Sequence, residues 1–428
     1  MTEGDPPQDR IDPPGFLRDA APAAVLAALP GARAVGGCVR DALARRPVHD
    51  VDVAAPWPPE EIARRLRDAG LRVFETGLAH GTVTAVLARQ PVEVTALRRD
   101  LVTDGRHAEV AWTTDWREDA ARRDFSFNAM SMDAAGQIWD YFGGRADLTA
   151  GRVRFVGDPA TRLAEDYLRA LRFFRFWARY GQGTPDAAAL AAIRDAVPGL
   201  RARIAPERIW MELKRLLAAP DPGGALVLMD QVGLLDAVLP EGAAPDVLIR
   251  MLPRGLPAEP LLRLAVLLPE AADAAALATR LRLSGDERER LLVLRRTEVA
   301  PTPGDEDRGF HFRAWRAAVR AASRHVKPTE PLWVAEARQG GEGWDELRDR
   351  VAPGDAEPEF PLQGRDLLAL GVPPGPAMGR LLAALRQSWL AGDCTADAAE
   401  LLAEARLKLR EAGTADGTAA PEGTAARP

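Results

Sequence analysis

Residues 36–54 read GGCVRDALARRPVHDVDVA, and this stretch decides the fold. The run RAV precedes the two glycines, CVRDALARR has helical character, and VHDVDVA alternates apolar and acidic residues as a half-buried strand does. Alternation places Asp50 and Asp52 on one strand face, about 7 Å apart at about 3.3 Å per residue, and turns Val51 and Val53 toward a core. The stretch therefore predicts a strand, a turn, a helix and a second strand that carries two carboxylates.

The paired carboxylates and the glycine turn indicate a site for a metal-bound phosphate. Two carboxylates on one face repel each other unless a cation lies between them. Mg²⁺ prefers one or two carboxylates together with substrate phosphates. Gly36 and Gly37 leave backbone N–H groups open at the start of a helix, and Arg40 adds positive charge there. The alternative is an ordinary turn followed by two exposed strand acids.

Two later segments add candidate residues. In VEVTALR (residues 92–98), Glu93 shares a strand face with Thr95 and is a candidate third acid; the alternative is an exposed strand acid. The segment ARRDFSFNAM contains Arg122, Arg123, Asp124 and Asn128. Adjacent guanidinium groups match phosphate oxygens in a bidentate manner, although two neighbouring arginines also occur on ordinary solvated surfaces.

The segment RLAEDYLRALRFFRFWARYG (residues 162–181) predicts one amphipathic helix, whose surface carries a candidate pair of residues for recognising a nucleobase. Asp166 and Arg169 are three residues apart and therefore neighbours on a helix surface. A carboxylate acceptor beside a guanidinium donor complements cytosine (N4 amino group, N3) and adenine (N6 amino group, N1). Uracil and guanine present the reverse order, and the mispaired groups would be costly. The pair would select CTP and ATP; the alternative is ordinary ion pairing within a helix that also carries Glu165 and Arg172.

Composition narrows the class of protein. The chain has 428 residues, of which 47% are hydrophobic and 28% charged, a profile typical of soluble proteins. No apolar run reaches the roughly 18 residues of a membrane span, and the polar, acidic amino terminus does not resemble a secretory leader. Cys38 and Cys394 are far apart and lack histidine partners, which argues against a disulfide framework or a zinc site and favours a cytoplasmic location. The net charge of −6 argues against a nonspecific nucleic-acid coat but permits local basic patches.

The succession of strand-like and helical sequence patterns predicts an α/β part followed by a helical part. Short strand-like runs alternate with helical segments over residues 33–156, and amphipathic helical patterns dominate from about residue 160. We predict strands at RAVGG, HDVDVA, RVFET, TVTAVLA, VEVTALR, QIWDYF and RVRFV. The predicted domains are a disordered amino terminus (1–22), a head (23–156), a helical neck (157–220), a helical body (221–355), a helical tail (356–411) and a disordered carboxyl terminus (412–428).

Taken together, several motifs resemble the family of class II tRNA nucleotidyltransferases and bacterial poly(A) polymerases. The resemblance is carried by GGCVRDALARRPVHDVDVA, VEVTALR, DGRH with EDAARRDFSFNAMSMD, EDYLRALRFFRF and RIAPERIWMELKRLL, over about residues 30–220. Residues 362–393 resemble a carboxyl-terminal segment of the same family. The resemblance implies an α/β polymerase-β-like nucleotidyltransferase head followed by an all-α neck, body and tail.

The resemblance also implies roles for individual residues. It assigns metal binding and catalysis to Asp50 and Asp52, with Glu93 as a further candidate metal ligand. Nucleotide binding falls to Gly36, Gly37, Arg40, Arg122, Arg123, Asp124, Asn128, Asp166, Arg169 and Arg172. Supporting roles fall to Glu165, to Arg106 in the loop near residues 98–110, and to Arg203, Glu207 and Arg208 in the neck.

The implied reaction is addition of CCA to the 3′ end of tRNA from CTP and ATP, with release of pyrophosphate. Two Mg²⁺ ions are the expected cofactors, with Mn²⁺ as the alternative, and the helical part, including residues 296–327, is expected to hold the acceptor and T-arm region of tRNA. No membrane and no protein partner is expected. The only His-Asp dipeptide, at His49, lies in the head motif, so the phosphohydrolase domain of some relatives is not expected.

Three alternative functions remain open. A poly(A) polymerase would share nearly all these motifs, but the carboxyl-terminal segment lacks the basic extension expected for gripping mRNA. A partial enzyme that adds only CC or only A would differ in the loop that contains Arg106. A non-catalytic RNA-binding relative would not need both Asp50 and Asp52.

Overall fold

A mixed eight-stranded sheet forms the first part of the computed structural model. The structure describes residues 5–78, 81–103, 108–296, 300–305, 312–352, 359–392 and 394–415. The strands are β1 (Asp9–Arg10), β2 (Arg33–Val35), β3 (Asp52–Ala55), β4 (Arg72–Gly77), β5 (Thr82–Leu87), β6 (Gln90–Ala96), β7 (Arg98–Thr103), β8 (Ala108–Trp112), β9 (Ser131–Met132) and β10 (Gln137–Trp139). The large sheet has the order β1-β10-β9-β2-β3-β6-β5-β4, and β7 and β8 pair separately.

The centre of the sheet brings the acidic segments side by side. β3 and β6 run parallel, whereas β2 pairs with β3 in the antiparallel sense. The α-helices among the described residues of this part are short: α1 (Ala20–Ala28), α2 (Gly37–Leu43), α3 (Pro59–Asp68), α4 (Trp116–Ala121) and α5 (Gly144–Thr149). α3 is amphipathic and buries Ile62, Ala63 and Leu66, as its apolar spacing requires.

A helical segment follows the sheet: α6 (Pro159–Glu165), α7 (Leu168–Tyr180), α8 (Ala187–Arg203), α9 (Pro206–Leu217), α10 (Gly223–Gln231) and α11 (Leu234–Val238). Aromatic rings join α7 to the end of the sheet region. Phe176 makes edge contacts with Phe125 and Phe127, with ring centroids 5.2 and 5.3 Å apart, and Phe155 stacks on Phe173 at 5.9 Å. These apolar contacts fix α7 against the segment that contains Phe125 and Phe127, which leads into β9.

The chain divides into two compact units, of which the first comprises residues 1–245 and 258–260. The remaining helices belong mainly to the second unit: α12 (Pro245–Met251), α13 (Pro260–Leu267), α14 (Ala274–Arg280), α15 (Gly285–Arg295), α16 (Phe312–Ala322), α17 (Glu330–Gln339), α18 (Trp344–Val351), α19 (Gly364–Leu368), α20 (Pro376–Ala391) and α21 (Ala398–Ala415). Leu367, Leu385, Trp389, Leu401 and Ala405 form a buried cluster there. None of the described helices is both long and apolar enough to cross a membrane.

The fold class is confirmed: a mixed sheet precedes a region that is helical throughout its described elements. The boundaries between head, neck, body and tail stay predictions. Disorder over residues 1–22 is wrong from Asp9 onward, because β1 pairs with β10 and the apolar Phe16 and Leu17 are buried. At the other end, α21 extends past the predicted limit of order to Ala415, and residues 416–428 lie outside the described part.

Two local predictions are also corrected. RVRFV (152–156) is not a strand; Phe155 makes one isolated bridge to Phe125, because Phe155 packs into the aromatic cluster. The predicted helix over residues 162–181 is two helices, α6 and α7. Asp166 adopts an extended conformation (φ −152°, ψ 106°), and its Oδ1 accepts a hydrogen bond from the Leu168 N–H at 3.0 Å, which satisfies a donor at the start of α7.

Candidate active site

The glycine turn sits directly opposite an arginine. Gly36 has φ +70°, which favours glycine, and a Cβ there would lie 3.2 Å from Nη1 of Arg123. Gly37 is the first residue of α2, so the chain turns from β2 into α2 with its backbone facing the guanidinium. A side chain at residue 36 would fill the space between them. The turn therefore leaves a narrow space between the backbone of Gly36 and the positively charged guanidinium of Arg123.

The acidic residues lie beside this turn, on the sheet. β3 begins at Asp52, so Asp50 immediately precedes the strand instead of belonging to it. The predicted alternation nevertheless holds, because both acids are exposed while Val51 and Val53 are buried.

Asp52 is also opposite Glu93 in the parallel register of β3 and β6. Desolvation in the cleft, the charge of Glu93 and the charge of Asp50 raise the pKa of Asp52, whereas Arg123 opposes that shift. Three carboxylates thus share a small region in which added positive charge would relieve repulsion.

One buried acid, Asp119, pairs with both adjacent arginines, Arg122 and Arg123. Asp119 is buried on α4, and its two oxygens lie 2.8 Å from Arg122 Nη2 and 3.1 Å from Arg123 Nη2. Burial alone would raise the pKa of Asp119, but Arg123 and Arg122 outweigh burial and keep that pKa below its usual value. Asp119 therefore stays ionised and fixes both guanidinium groups.

A chain of polar contacts crosses from α2 to α7. Arg40 Nη1 donates to Asn128 Oδ1 at 2.6 Å, and Asn128 Nδ2 donates to Asp124 Oδ1 at 3.0 Å. Arg172 Nη2 lies 2.5 Å from the other oxygen of Asp124. Burial opposes ionisation of Asp124, yet Arg172, Asn128 and the Phe125 N–H lower its pKa. The network ties the sheet side of the cleft to the helix that was predicted to read the base.

A second contact set orients Arg40. Its Nε and Nη2 donate to the two oxygens of Asp41 at 3.1 and 2.9 Å. The Tyr180 hydroxyl donates to the same carboxylate, and the Arg40 guanidinium lies 4.9 Å from the centre of the Tyr180 ring. Asp41 and Tyr180 together restrict Arg40 to one orientation.

Asp166 and Arg169 meet at the junction of α6 and α7, but they do not pair with each other through their side chains. Asp166 Oδ2 accepts from Arg208 Nη2 on α9 at 2.8 Å. Arg169 Nη1 donates to Glu165 Oε2 at 2.6 Å, and its Nη2 donates to the Arg122 carbonyl at 3.3 Å. Each member of the predicted pair is thus held by a separate partner, and an acceptor and a donor line the same cleft.

These residues line one cleft of about 510 Å³, large enough for a nucleotide. Of the predicted residues, the cleft brings together Gly36, Gly37, Arg40, Asp52, Arg123, Asp124, Asn128, Asp166, Arg169 and Arg172. Five further predicted residues do not line the cleft but interact with residues near or in its lining: Asp50, Glu93, Arg122, Glu165 and Arg208.

Two predicted residues lie apart from the cleft, and one cannot be placed. The Arg203 guanidinium lies 5.5 Å from the centre of the Tyr167 ring. Glu207 occupies the first turn of α9. Arg106 lies outside the described residues.

Sequence reasoning missed Asp119, Asp41 and Tyr180, as well as the cleft residues Arg175 and Arg215 with their partner Glu212. The i,i+3 and i,i+4 spacing of Asp119 to the two arginines was a usable signal. The spacing of Arg175, three residues after Arg172, was another. The contact between Tyr180 and Asp41 joins residues 139 apart, so no local pattern could have indicated it.

The residues fit a divalent metal shared with substrate phosphates. Asp52 and Asp50 offer oxygen ligands. Desolvation and then the charges of Glu93 and Asp50 raise the pKa of Asp52, and a bound cation would offset the carboxylate repulsion. Within the described part of the chain, no cluster of three His, Cys, Asp or Glu side chains is arranged to hold a metal. Two carboxylates completed by phosphate oxygens suit Mg²⁺ better than a full protein cage would.

Two family models match parts of the first compact unit. The model for the poly A polymerase head domain matches residues 32–154, and the model for the probable RNA and SrmB-binding site of polymerase A matches residues 184–244. The first match covers the strands near the carboxylates and the two arginines that follow α4. The second begins after α7 and includes α9.

Relatives of stated activity match most of the chain. The mitochondrial CCA tRNA nucleotidyltransferase 1 of Danio rerio is 38% identical over 369 residues, 83% of each chain. The CCA-adding enzyme of Lacticaseibacillus paracasei is 33% identical over 376 residues, 84% of this chain and 87% of that one. The crystal structure of the Bacillus stearothermophilus CCA-adding enzyme in complex with CTP matches with a TM-score of 0.68 and 25% identity, over 94% of this chain and all of the other.

Proposed function

The chain belongs to the CCA tRNA nucleotidyltransferase family, and from that premise we propose that it adds CCA to the 3′ end of tRNA in the cleft described above. CTP and ATP are the nucleotide substrates, and pyrophosphate is the second product. The observation that carries the residue assignments is the meeting, in one cleft, of Asp52 with the acceptor and donor of Asp166 and Arg169. Catalytic carboxylates and a base-selective pair are what untemplated addition of two specific bases requires.

The triphosphate binds on the head side of the cleft. The backbone at Gly36 and Gly37 faces its oxygens, and Arg123, anchored by Asp119, neutralises part of their charge. Arg40 is restricted by Asp41 and Tyr180 and holds the substrate without losing much rotamer freedom. The nucleotide is thereby held in line with the attacking hydroxyl, which lowers the entropic part of the barrier.

The reaction joins the terminal 3′ oxygen of tRNA to the α-phosphorus of the nucleotide. The bond between that phosphorus and the bridging oxygen of pyrophosphate breaks, and the hydroxyl proton passes from the attacking oxygen to solvent. Members of this family use divalent metal ions. We assign Asp50 and Asp52 as the ligands of two Mg²⁺ ions, which would lower the pKa of the hydroxyl and neutralise charge on the leaving group. Glu93, in register with Asp52, keeps negative charge beside them.

Base selection falls to Asp166 and Arg169. Arg208 and the Leu168 N–H each occupy one oxygen of Asp166, and each carboxylate oxygen retains a further lone pair for the amino group of cytosine or adenine. Arg169, fixed by Glu165, donates to the neighbouring ring nitrogen. Uracil and guanine would place acceptor against acceptor and donor against donor, and a buried mispaired group is costly.

CCA addition is favoured over poly(A) addition because the matched relatives of stated activity are CCA-adding enzymes. We further propose that the helical second unit holds the tRNA. The cytoplasmic location of the protein stays a prediction, since the Danio rerio relative is mitochondrial by name.

The test is incorporation on a tRNA transcript that lacks its last three nucleotides. With Mg²⁺, CTP alone should give two additions, CTP with ATP should give three, and UTP or GTP should give none. A long ladder with ATP alone and no use of CTP would instead show a poly(A) polymerase. Addition of A only to a transcript that already ends in CC would show a partial enzyme.

A further inference from the structure

One arginine of the cleft stands out by its exposure and its loose pairing. Six arginines line the cleft: Arg40, Arg123, Arg169, Arg172, Arg175 and Arg215. The first five each lie within 3.1 Å of a carboxylate oxygen, and their side chains are at most 34% exposed. Arg215 lies 3.6 Å from Glu212 and is 56% exposed. Its charge is therefore the most available to a ligand.

The partner of Arg215 is already engaged. Glu212 is buried on α9, with only 4% of its side chain exposed, and its Oε2 accepts a hydrogen bond from Arg175 Nε at 2.5 Å. One carboxylate thus faces two guanidinium groups, which leaves net positive charge at this end of the cleft. A bound anion would complete the pairing.

The same face of α9 carries an exposed apolar side chain. Arg208, Met211 and Arg215 are separated by three and four residues and lie on one face of the helix. Arg208 pairs with Asp166, and Arg215 lines the cleft, so this face is turned toward the cleft. Met211 is 51% exposed between them. A cation beside an exposed thioether suits a phosphate joined to a ribose or a base.

We propose that Arg215, with Met211 one turn before it, binds the 3′-terminal phosphodiester of the RNA that is being extended. This inference rests on the proposed function. In the proposed function the incoming triphosphate has its own cationic site on the head, at Gly36 and Arg123. Arg215 lies about 10 Å along α9 from Arg208, which marks the base-reading end, at about 1.5 Å per residue. The RNA end must share this cleft with the nucleotide, and its phosphates need a counter-charge there.

The test measures RNA binding without nucleotide, so that catalysis plays no part. A fluorescent tRNA minihelix lacking CCA is titrated with wild-type protein, with Arg215→Gln and with Arg64→Gln. Arg64 is a matched control because it is 59% exposed on α3, away from the cleft lining. Arg215→Gln should weaken binding by about tenfold, as loss of one charged contact predicts. It should also reduce the slope of the logarithm of the binding constant against the logarithm of the salt concentration by about one. Arg64→Gln should change neither.

A chemically modified RNA locates the contact. Minihelices with one neutral methylphosphonate among the last three linkages are compared in turn. At the linkage that Arg215 contacts, the wild type should lose about tenfold in affinity, whereas Arg215→Gln should lose nothing further. The KM for CTP should stay within twofold of wild type. Met211→Ser should weaken RNA binding by a smaller factor and likewise spare the KM for CTP.

Two outcomes would overturn the proposal. A raised KM for CTP with unchanged RNA affinity would place Arg215 on the triphosphate. Unchanged RNA affinity and unchanged KM would show that it contacts neither substrate. Failure of the proposed function looks different: the wild type would then add no CCA in the incorporation assay, whatever its affinity for the minihelix.

Discussion

Asp166→Ala should relax the choice of base more than it slows the reaction. The substitution removes the acceptor that we propose to face the amino group of cytosine or adenine. It leaves Arg169 in place, because Arg169 is held by Glu165 and by the Arg122 carbonyl and not by Asp166. The carboxylates to which we assign the chemistry lie on β3 and before it, so the substitution does not change them.

The size of the effect follows from the contacts. A hydrogen bond to a charged group contributes about 1.5–3 kcal/mol, which corresponds to about 10- to 150-fold at about 1.4 kcal/mol per tenfold. The preference for CTP over UTP, as the ratio of kcat/KM values, should fall by that factor. The ion pair with Arg208 is partly exposed at both ends, so its loss should cost at most about 1 kcal/mol of stability.

Single-nucleotide addition measures this directly, with CTP and UTP supplied separately to the same shortened tRNA. Arg208→Gln is the informative comparison, because it keeps the acceptor but loosens it, and it should relax base choice less than Asp166→Ala. If Asp166→Ala rejects UTP as strongly as the wild type does, the base-reading role of Asp166 is refuted.

Three further predictions concern residues that support the cleft. Because the folded-state pKa of Asp119 is lowered, its ionised form contributes stability above its unfolded pKa, and that contribution is lost as the pH falls through the folded value. Asp119→Asn should lower the thermal midpoint at pH 7, and the gap to wild type should narrow below about pH 4; a gap that is constant with pH would contradict this. Tyr180→Phe removes the hydrogen bond to Asp41 and should raise the KM for CTP about fivefold, with the folded state intact by circular dichroism. Glu212→Ala leaves Arg175 without its buried partner and should destabilise the protein by about 3 kcal/mol in chemical denaturation, and a loss below about 1 kcal/mol would show that the pair is not coupled to folding.

The part of the fold that could be predicted from the sequence is the part that patterns among neighbouring residues determine. The alternation in VHDVDVA placed Asp50 and Asp52 outward and their valine neighbours inward, and the structure agrees even though the strand begins only at Asp52. The change near residue 160 from mixed strands and helices to helices alone could also be predicted, because the periodicity of an amphipathic helix shows within a few turns of sequence.

The remaining features depend on contacts between distant segments. The break between α6 and α7 arises where the Asp166 carboxylate competes for the Leu168 N–H, and an unbroken apolar stripe conceals it. Phe155 was predicted in a strand because RVRFV has the right composition, yet its ring is taken up by Phe125 and Phe173. The partner of Asp166 is Arg208, 42 residues away, and spacing along one helix cannot reveal such a pair.

The central claim is that the cleft lined by Asp52, with Asp50 beside it, is where the enzyme completes tRNA with CCA. The most direct measurement extends a tRNA lacking these three nucleotides with wild type, Asp50→Asn and Asp52→Asn under identical Mg²⁺, CTP and ATP, and sequences the 3′ ends. The account predicts CCA ends with the wild type and almost no extension with either variant, although both still bind the tRNA. Efficient CCA addition by Asp52→Asn would contradict it, because the reaction would then not depend on the carboxylate around which the cleft is built.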